Sequence, residues 1–292
     1  MNNPTEFLAR FWGIDDASVT PMDGGMNSDT WLVEHEGSTY VAKAVSPEMA
    51  AALVAGGEVA TTLAEAGFVT GPPVPTRDGR MVLTEPALAL LAHVPGRELG
   101  GESDEEQGWI ASTLAGVHSA SSPTLGPNTA TFALDWLSPQ MPGVGDHQWL
   151  TAAIEAVRHE TDPLTLTWSV LHTDPAPEAF IHNDTTGVTG LIDWTGARRG
   201  PVLYDVASAV MYLGGIEHAS AFLNTYQSQG PLSADEMRHL EAFSRFREAV
   251  QGAYFAGRLA SNDLTGGIEH ADNEKGLSDA RRRLGALGFA AS

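Results

Sequence analysis

Residues 170–194 read VLHTDPAPEAFIHNDTTGVTGLIDW, and the reading of this stretch decides the fold. His172 and Asp174 flank a single residue, and Pro175 and Pro177 then stiffen the chain. The turn formers NDTTG at 183–187 separate two short apolar runs, which predicts a hairpin. That hairpin returns a second carboxylate, Asp193, toward Asp174. Two aspartates in different surroundings suit two roles: one orients a hydroxyl and accepts its proton, the other binds a cation that bridges phosphate oxygens. Viewed singly, each is equally well explained as a turn or cap residue.

The composition narrows the chemistry. A chain of 292 residues with 42% hydrophobic content can bury a sizeable core and divide into two lobes. The most apolar run, ALALLAHV at 87–94, is far shorter than the roughly 18 residues of a membrane span, and no charged start precedes a long apolar stretch, so a cytoplasmic protein without a membrane partner is expected. Cysteine is absent, which excludes disulfides and thiolate chemistry and leaves oxygen or imidazole ligands for any metal; magnesium suits such ligands best. A formal charge of −21 disfavours a nucleic-acid partner, whose phosphates require clustered Lys and Arg.

Outward from the central stretch, the first third reads as strands: ASVTPM, DTWLVEH and STYVAKA between 17 and 44, with Glu36-Gly37 at a tight turn. Ser46-Pro47-Glu48 opens a helix and Gly67 stops it. Two or three further strands are expected over 72–93, around the turn Asp78-Gly79. Pro95 and Gly96 mark a connector, and the rest is predominantly helical: 105–120, 147–160 and most of 201–262. Ser233 and Glu236 form a capping-box pattern that predicts the start of a long helix. A surface loop is expected over 122–146.

Lysine is scarce, with Lys43 and Lys275 the only two against 14 arginines. Lys43 ends a strand, and Glu58 lies in the following helix, so a cleft-facing pair is feasible; a compact ammonium can approach phosphate oxygens. DGGMNSDTW at 23–31 places small residues between two strands, where backbone amides can approach an anion. A plain β-turn explains it as well, and the chain has neither a Walker P-loop nor a GxGxxG motif opening a helix.

The order of these features resembles the aminoglycoside phosphotransferase and choline kinase family, relatives of protein kinases, over roughly residues 15–260. RGPVLYDVASAV at 199–210 is similar to the family's GDPxYDLA segment, and TLAGVHS at 113–119 to its helix ending in histidine. The resemblance implies an α+β, bilobal protein-kinase-like fold: a β-rich N-lobe with one main helix at 1–93 and a larger, mainly helical C-lobe at 94–292. It implies ATP as co-substrate and Mg2+ as cofactor. Gly25, Asn27, Ser28, Lys43 and Glu58 would serve the nucleotide phosphates, with Glu58 holding Lys43. Ala92 and His93 lie in the hinge that meets adenine. Asp174 would be the catalytic base, Asp193 the metal acid, and Asp205 a brace for the catalytic loop. The partner implied is a small-molecule hydroxyl acceptor, with no inference about oligomeric state.

One position departs from the pattern. The family loop HGDLHPGNVL carries a metal-binding asparagine where this chain has Ala179, and the 14-residue spacing from Ala179 to Asp193 fixes that alignment. Three outcomes are open: Glu178 supplies the missing ligand, water takes the place, or the protein has become a pseudokinase that binds without transferring phosphate. A rival reading takes LHTD at 171–174 and IHND at 181–184 as zinc or manganese ligands of a hydrolase, although the hairpin puts His182 and Asp184 at the far end from Asp174. For the acceptor, acids at Asp263, Glu269, Asp272 and Glu274, with Asn262 and Asn273, suggest either a rim that steers a cationic, amine-bearing alcohol or a solvated acidic face. Trp136 and Trp149 flank the expected loop as candidate pocket walls or as core packing.

Overall fold

The residues Glu36 and Gly37 take φ of 48° and 78°, the pair of left-handed conformations that a two-residue hairpin needs. They join β2 (Ser28–His35) to β3 (Ser38–Val45), with β1 (Ser18–Met22) on the far side of β2. This computed structural model describes residues 3–22, 27–120, 130–131 and 137–289. β4 (Leu83–Thr84) and β5 (Ala87–Ala92) complete an antiparallel sheet in the order β1-β2-β3-β5-β4.

Alternation along β3 sends neighbouring side chains to opposite faces. Ala42 and Ala44 join Trp31, Val33 and Leu90 in a core covered by the turn after α1 (Thr5–Phe7), with Leu8 fully buried at its centre. Lys43, between those alanines, therefore faces the other way. It pairs in register with Ala89 on β5, and the face they share is packed by α2 (Ala50–Glu65).

Of the two or three strands expected over 72–93, two form, β4 and β5, and the stretch 72–76 does not become a third, since Pro73 contributes one isolated bridge to Leu91. Pro72, Pro73 and Pro75 have no N–H to give a ladder, which explains the loss.

α2 carries two adjacent glycines in its middle, a combination that weakens an isolated helix. A methyl added at Gly56 would lie 2.3 Å from the Trp194 carbonyl oxygen, so the glycine permits α2 to rest directly on the turn that follows Asp193. Alanine at an ordinary helix interior gains about 1 kcal/mol over glycine. Here the sign is expected to reverse: Gly56→Ala should cost roughly 1–3 kcal/mol by overpacking, seen as a lower Tm.

Beyond the sheet, β6 (Arg97–Glu98) pairs with β9 (Phe180–Asn183), whose partner β10 (Val188–Leu191) completes the expected hairpin. β7 (Ala130–Thr131) and β8 (Trp168–Leu171) flank β11 (Arg198–Pro201), so β8 lies in a separate sheet rather than in the hairpin. The helices α3 (Asp104–Ala120), α4 (Gln148–Thr161), α5 (Leu203–Tyr212), α6 (Ser220–Gln229) and α8 (Leu240–Ser261) share one core, built on Ile110, Leu150, Phe222, Phe243 and Phe246. Ser233 and Glu236 form the expected reciprocal box, but it caps only the single turn α7 (Ala234–Met237) before α8 begins. A last helix, α9 (His270–Ala286), packs on α8. The architecture is the mixed, bilobal, kinase-like one that the sequence implies, and among the described residues no helix is long and apolar enough to cross a membrane.

Candidate active site

β8 ends at Leu171 and delivers the chain to His172, Thr173 and Asp174. Thr173 has φ of 73°, a conformation that disfavours a β-branched residue. It is held there by Asp205 in the first turn of α5, whose carboxylate is wholly buried. Oδ2 accepts from the His172 amide at 2.6 Å and Oδ1 from the Thr173 amide at 2.8 Å. His118, at the end of α3, lies 3.1 Å from Oδ2 through Nε2, and its Nδ1 meets the Tyr226 hydroxyl at 2.6 Å. Asp205 thus braces the loop, and the histidine-ending helix serves that brace. His172 itself points inward, with Nε2 2.7 Å from the Ile192 carbonyl and its ring edge-on to Trp194.

The loop presents Asp174 with 62% of its side chain exposed. Oδ1 accepts two donors, the Tyr212 hydroxyl and Arg247 Nη2, the latter at 2.9 Å. Arg247 on α8 is only 5% exposed and is anchored by Nε to Ser208 Oγ at 3.0 Å. Burial works against its charge, but the neighbouring Tyr204, Tyr212 and Asp174 more than compensate and raise its proton affinity. Burial and the adjacent Asp174 push the Tyr212 phenol well up, so it remains a donor. Oδ2 of Asp174 has no partner among the described residues and is left for a ligand. Neither Tyr212 nor Arg247 was found by sequence reasoning: they lie 38 and 73 residues from Asp174, and only the packing of α5 against α8 unites them.

Asp193 follows β10 in a left-handed conformation, φ 66°, tolerable for aspartate. Its Oδ1 pairs with the Lys43 ammonium. Burial raises the Asp193 carboxyl, and the charge and hydrogen bond of Lys43 outweigh that and bring it below its ordinary value. Glu58 lies half-buried in α2, while the ion pair of Lys43 just described goes to Asp193.

Lys43, Asp174, Glu178, Ala179, Asp193 and Arg247 all line one cleft of about 700 Å³. Oxygen ligands for a cation are available from Asp193 and the exposed Glu178, and Ala179 offers none. Among the described residues no three His, Asp or Glu side chains are grouped to hold a metal alone. The donor set therefore fits a hard cation that keeps waters and takes further ligands from phosphates, as magnesium does. Ser28 and Asn27 also line the cleft. Asn27 Oδ1 accepts from the Tyr254 hydroxyl at 3.0 Å and from Arg258 Nη1 at 3.3 Å, tying the N-terminal sheet to α8. Gly25 and Trp136 fall outside the described residues. The Ala92 amide donates to the Pro72 carbonyl at 2.9 Å and His93 is exposed.

The fold decides between several alternatives. Trp149 is the core residue of its two readings, buried among the helices under Arg281 and not among the residues that line the cleft. The acidic rim does not line the cleft. Asp263 is 3.3 Å from Arg258, Glu269 and Asp272 cap α9 reciprocally, and Glu274 sits by His270. Asn262 caps α8, and Asn273 is buried against Arg258. The hydrolase reading loses its ligands, since His182 stacks on Trp109 at 3.6 Å with Nδ1 2.8 Å from Thr189 Oγ1.

Residues 18–243 match the sequence model of the phosphotransferase enzyme family. No curated protein matches the chain significantly. Among solved structures, an amicoumacin kinase in complex with AMP-PNP, Ca2+ and Ami superposes with a TM-score of 0.75 at 14% identity, over 96% of this chain and 91% of that one. A spectinomycin phosphotransferase in complex with ADP and spectinomycin gives 0.67 at 12% identity over 98% of both chains. The choline kinase LicA from Streptococcus pneumoniae gives 0.66 at 18% identity, over 94% of this chain and 97% of that one. At such identities these are likenesses of fold.

Proposed function

From the premise that the chain belongs to the phosphotransferase enzyme family, we propose that it transfers the γ-phosphoryl group of ATP to a hydroxyl of a small molecule, with magnesium as cofactor. The observation that carries this reading is the opposed pair in the cleft: Asp174 with one oxygen fixed and the other open, and Asp193 holding Lys43. The complexes of relatives with AMP-PNP and Ca2+, and with ADP, support an adenine nucleotide and a divalent cation.

Asp174 Oδ2 accepts the hydrogen bond of the acceptor hydroxyl and aims its oxygen along the line of transfer. As the new P–O bond forms, the bond from the γ-phosphorus to the β–γ bridging oxygen breaks. ADP leaves with that electron pair, and the hydroxyl proton passes to Asp174. Tyr212 and Arg247 hold the carboxylate plane throughout. Lys43 exchanges its Asp193 partner for phosphate oxygens and neutralises charge there. Asp193 and Glu178 would hold the magnesium, which when bound shields the phosphates. Asn27 and Ser28 would lie toward the phosphates, with Asn27 held by its contacts to Tyr254 and Arg258. Glu58 steadies Lys43 once it leaves Asp193, and Ala92–His93 meets the adenine.

A second reading, a pseudokinase that binds without transfer, draws on Ala179. Calorimetric titration with ATP, with and without magnesium, separates the two. Magnesium-dependent binding is expected, weakened about tenfold or more in Asp193→Ala. No binding at millimolar nucleotide would leave only the binding-module reading.

A further inference from the structure

The acceptor side of the cleft is formed by one face of α8. Arg247, Gln251 and Tyr254 fall at i, i+4 and i+7 and all line it. The acids of α8 are turned elsewhere: Glu248 pairs with Arg283 at 2.8 Å, and Glu241 stands 4.0 Å from Arg245. This face of α8 itself carries a guanidinium, a carboxamide and a phenol, while the carboxylates of the cleft, Asp174, Glu178 and Asp193, stand on other elements.

Arg247 has donors to spare. A guanidinium offers five N–H groups. Nε is committed to Ser208, and Nη2 to Asp174 and, at 3.3 Å, to Tyr212. Nη1 has no hydrogen bond to any described residue, and it is not an enclosed atom either. Arg247 lines the same cleft as Asp174 and bonds its Oδ1 through Nη2, which brings this spare donor next to the carboxylate on which the acceptor hydroxyl rests. A planar, permanently charged donor held this rigidly suits a planar anion.

We propose that the acceptor is a hydroxy acid: a small alcohol whose carboxylate is bound at Arg247 Nη1 while its hydroxyl rests on Asp174 Oδ2. This rests on the phosphotransferase reading and adds the acceptor class to it. Arg247 then acts twice, holding the aspartate and selecting the substrate. An acceptor lacking the carboxylate leaves a charged donor unpaired, which should lower kcat/KM by about 10–100-fold.

The test measures ADP release by the full chain with magnesium and ATP. The acceptors are a set of hydroxy acids, each beside its own amide or methyl ester, together with amino alcohols and aminoglycosides. Hydroxy acids should be turned over, with their amides and esters at least about tenfold poorer. In Arg247→Gln that acid-to-amide ratio should collapse toward one whatever happens to the overall rate, and Arg247→Lys should retain part of it. A preference for amino alcohols or aminoglycosides, no hydroxy acid accepted by a chain that binds nucleotide, or a ratio unmoved in Arg247→Gln would overturn the proposal. Failure to bind nucleotide, seen before any acceptor is added, overturns the kinase reading itself and is thereby told apart.

Discussion

Replacing Asp205 with alanine is expected to destabilise the protein by about 3–5 kcal/mol. The amides of His172 and Thr173 would lose their acceptor inside the core, and a buried N–H left unpaired costs about 1–3 kcal/mol. His118 Nε2 would lose its contact with that carboxylate as well. With total stabilities of about 5–15 kcal/mol, that is a large share, and at about 2–4 °C per kcal/mol it corresponds to a fall of roughly 10 °C in Tm. The consequence reaches the chemistry, because these amide bonds hold Thr173 at its positive φ and so aim Asp174. Asp205→Asn keeps the volume and one acceptor, and should fold better while still misplacing the loop. A thermal melt of both variants checks the first effect, and phosphoryl transfer below their Tm checks the second. A melting temperature unchanged in Asp205→Ala would mean that the loop is held by something else.

Asp174→Asn should abolish useful transfer while sparing nucleotide binding. The asparagine keeps an oxygen for Tyr212 and Arg247 but cannot take a proton, and loss of a positioned base costs about 10²–10⁴ in rate. On the proposed reading the nucleotide rests on Lys43 and Asp193 and not on Asp174, so its affinity should change little. The split between a collapsed kcat and a preserved nucleotide affinity distinguishes loss of the base from general damage. Parallel loss of both would place Asp174 among the groups that build the nucleotide site.

What the sequence revealed follows from the range of the forces involved. The strands around Lys43 were legible because alternation and the Glu36-Gly37 turn are local, and alternation alone turns Lys43 away from Ala42 and Ala44. The cap at Ser233 and the brace at Asp205 were legible for the same reason or by resemblance. Arg247 and Tyr212 were not, because their meeting with Asp174 depends on how α5 and α8 cross. α9 escaped because its buried stripe, Asn273, Leu277, Ala280 and Leu284, is thin and set among charges.

The sequence left the acids of 263–274 open between a rim and a solvated face for a related reason. In sequence, Glu269 and Asp272 are simply two acids. In the fold each caps the other's backbone at the start of α9, and Asp263 accepts from the Thr265 amide. Carboxylates three residues apart satisfy helix N-termini as readily as they recruit ligands. Only the register of α8 shows that the cleft wall carries Arg247 and Gln251 instead.

The most direct measurement follows the label of γ-labelled ATP in the presence of magnesium and the hydroxyl compounds named above, with the parent chain and Asp174→Asn side by side. The account predicts label in a phosphorylated small-molecule product with the parent and almost none with the variant. Label that stays in ATP, or appears only as inorganic phosphate and does so equally in both proteins, would contradict it.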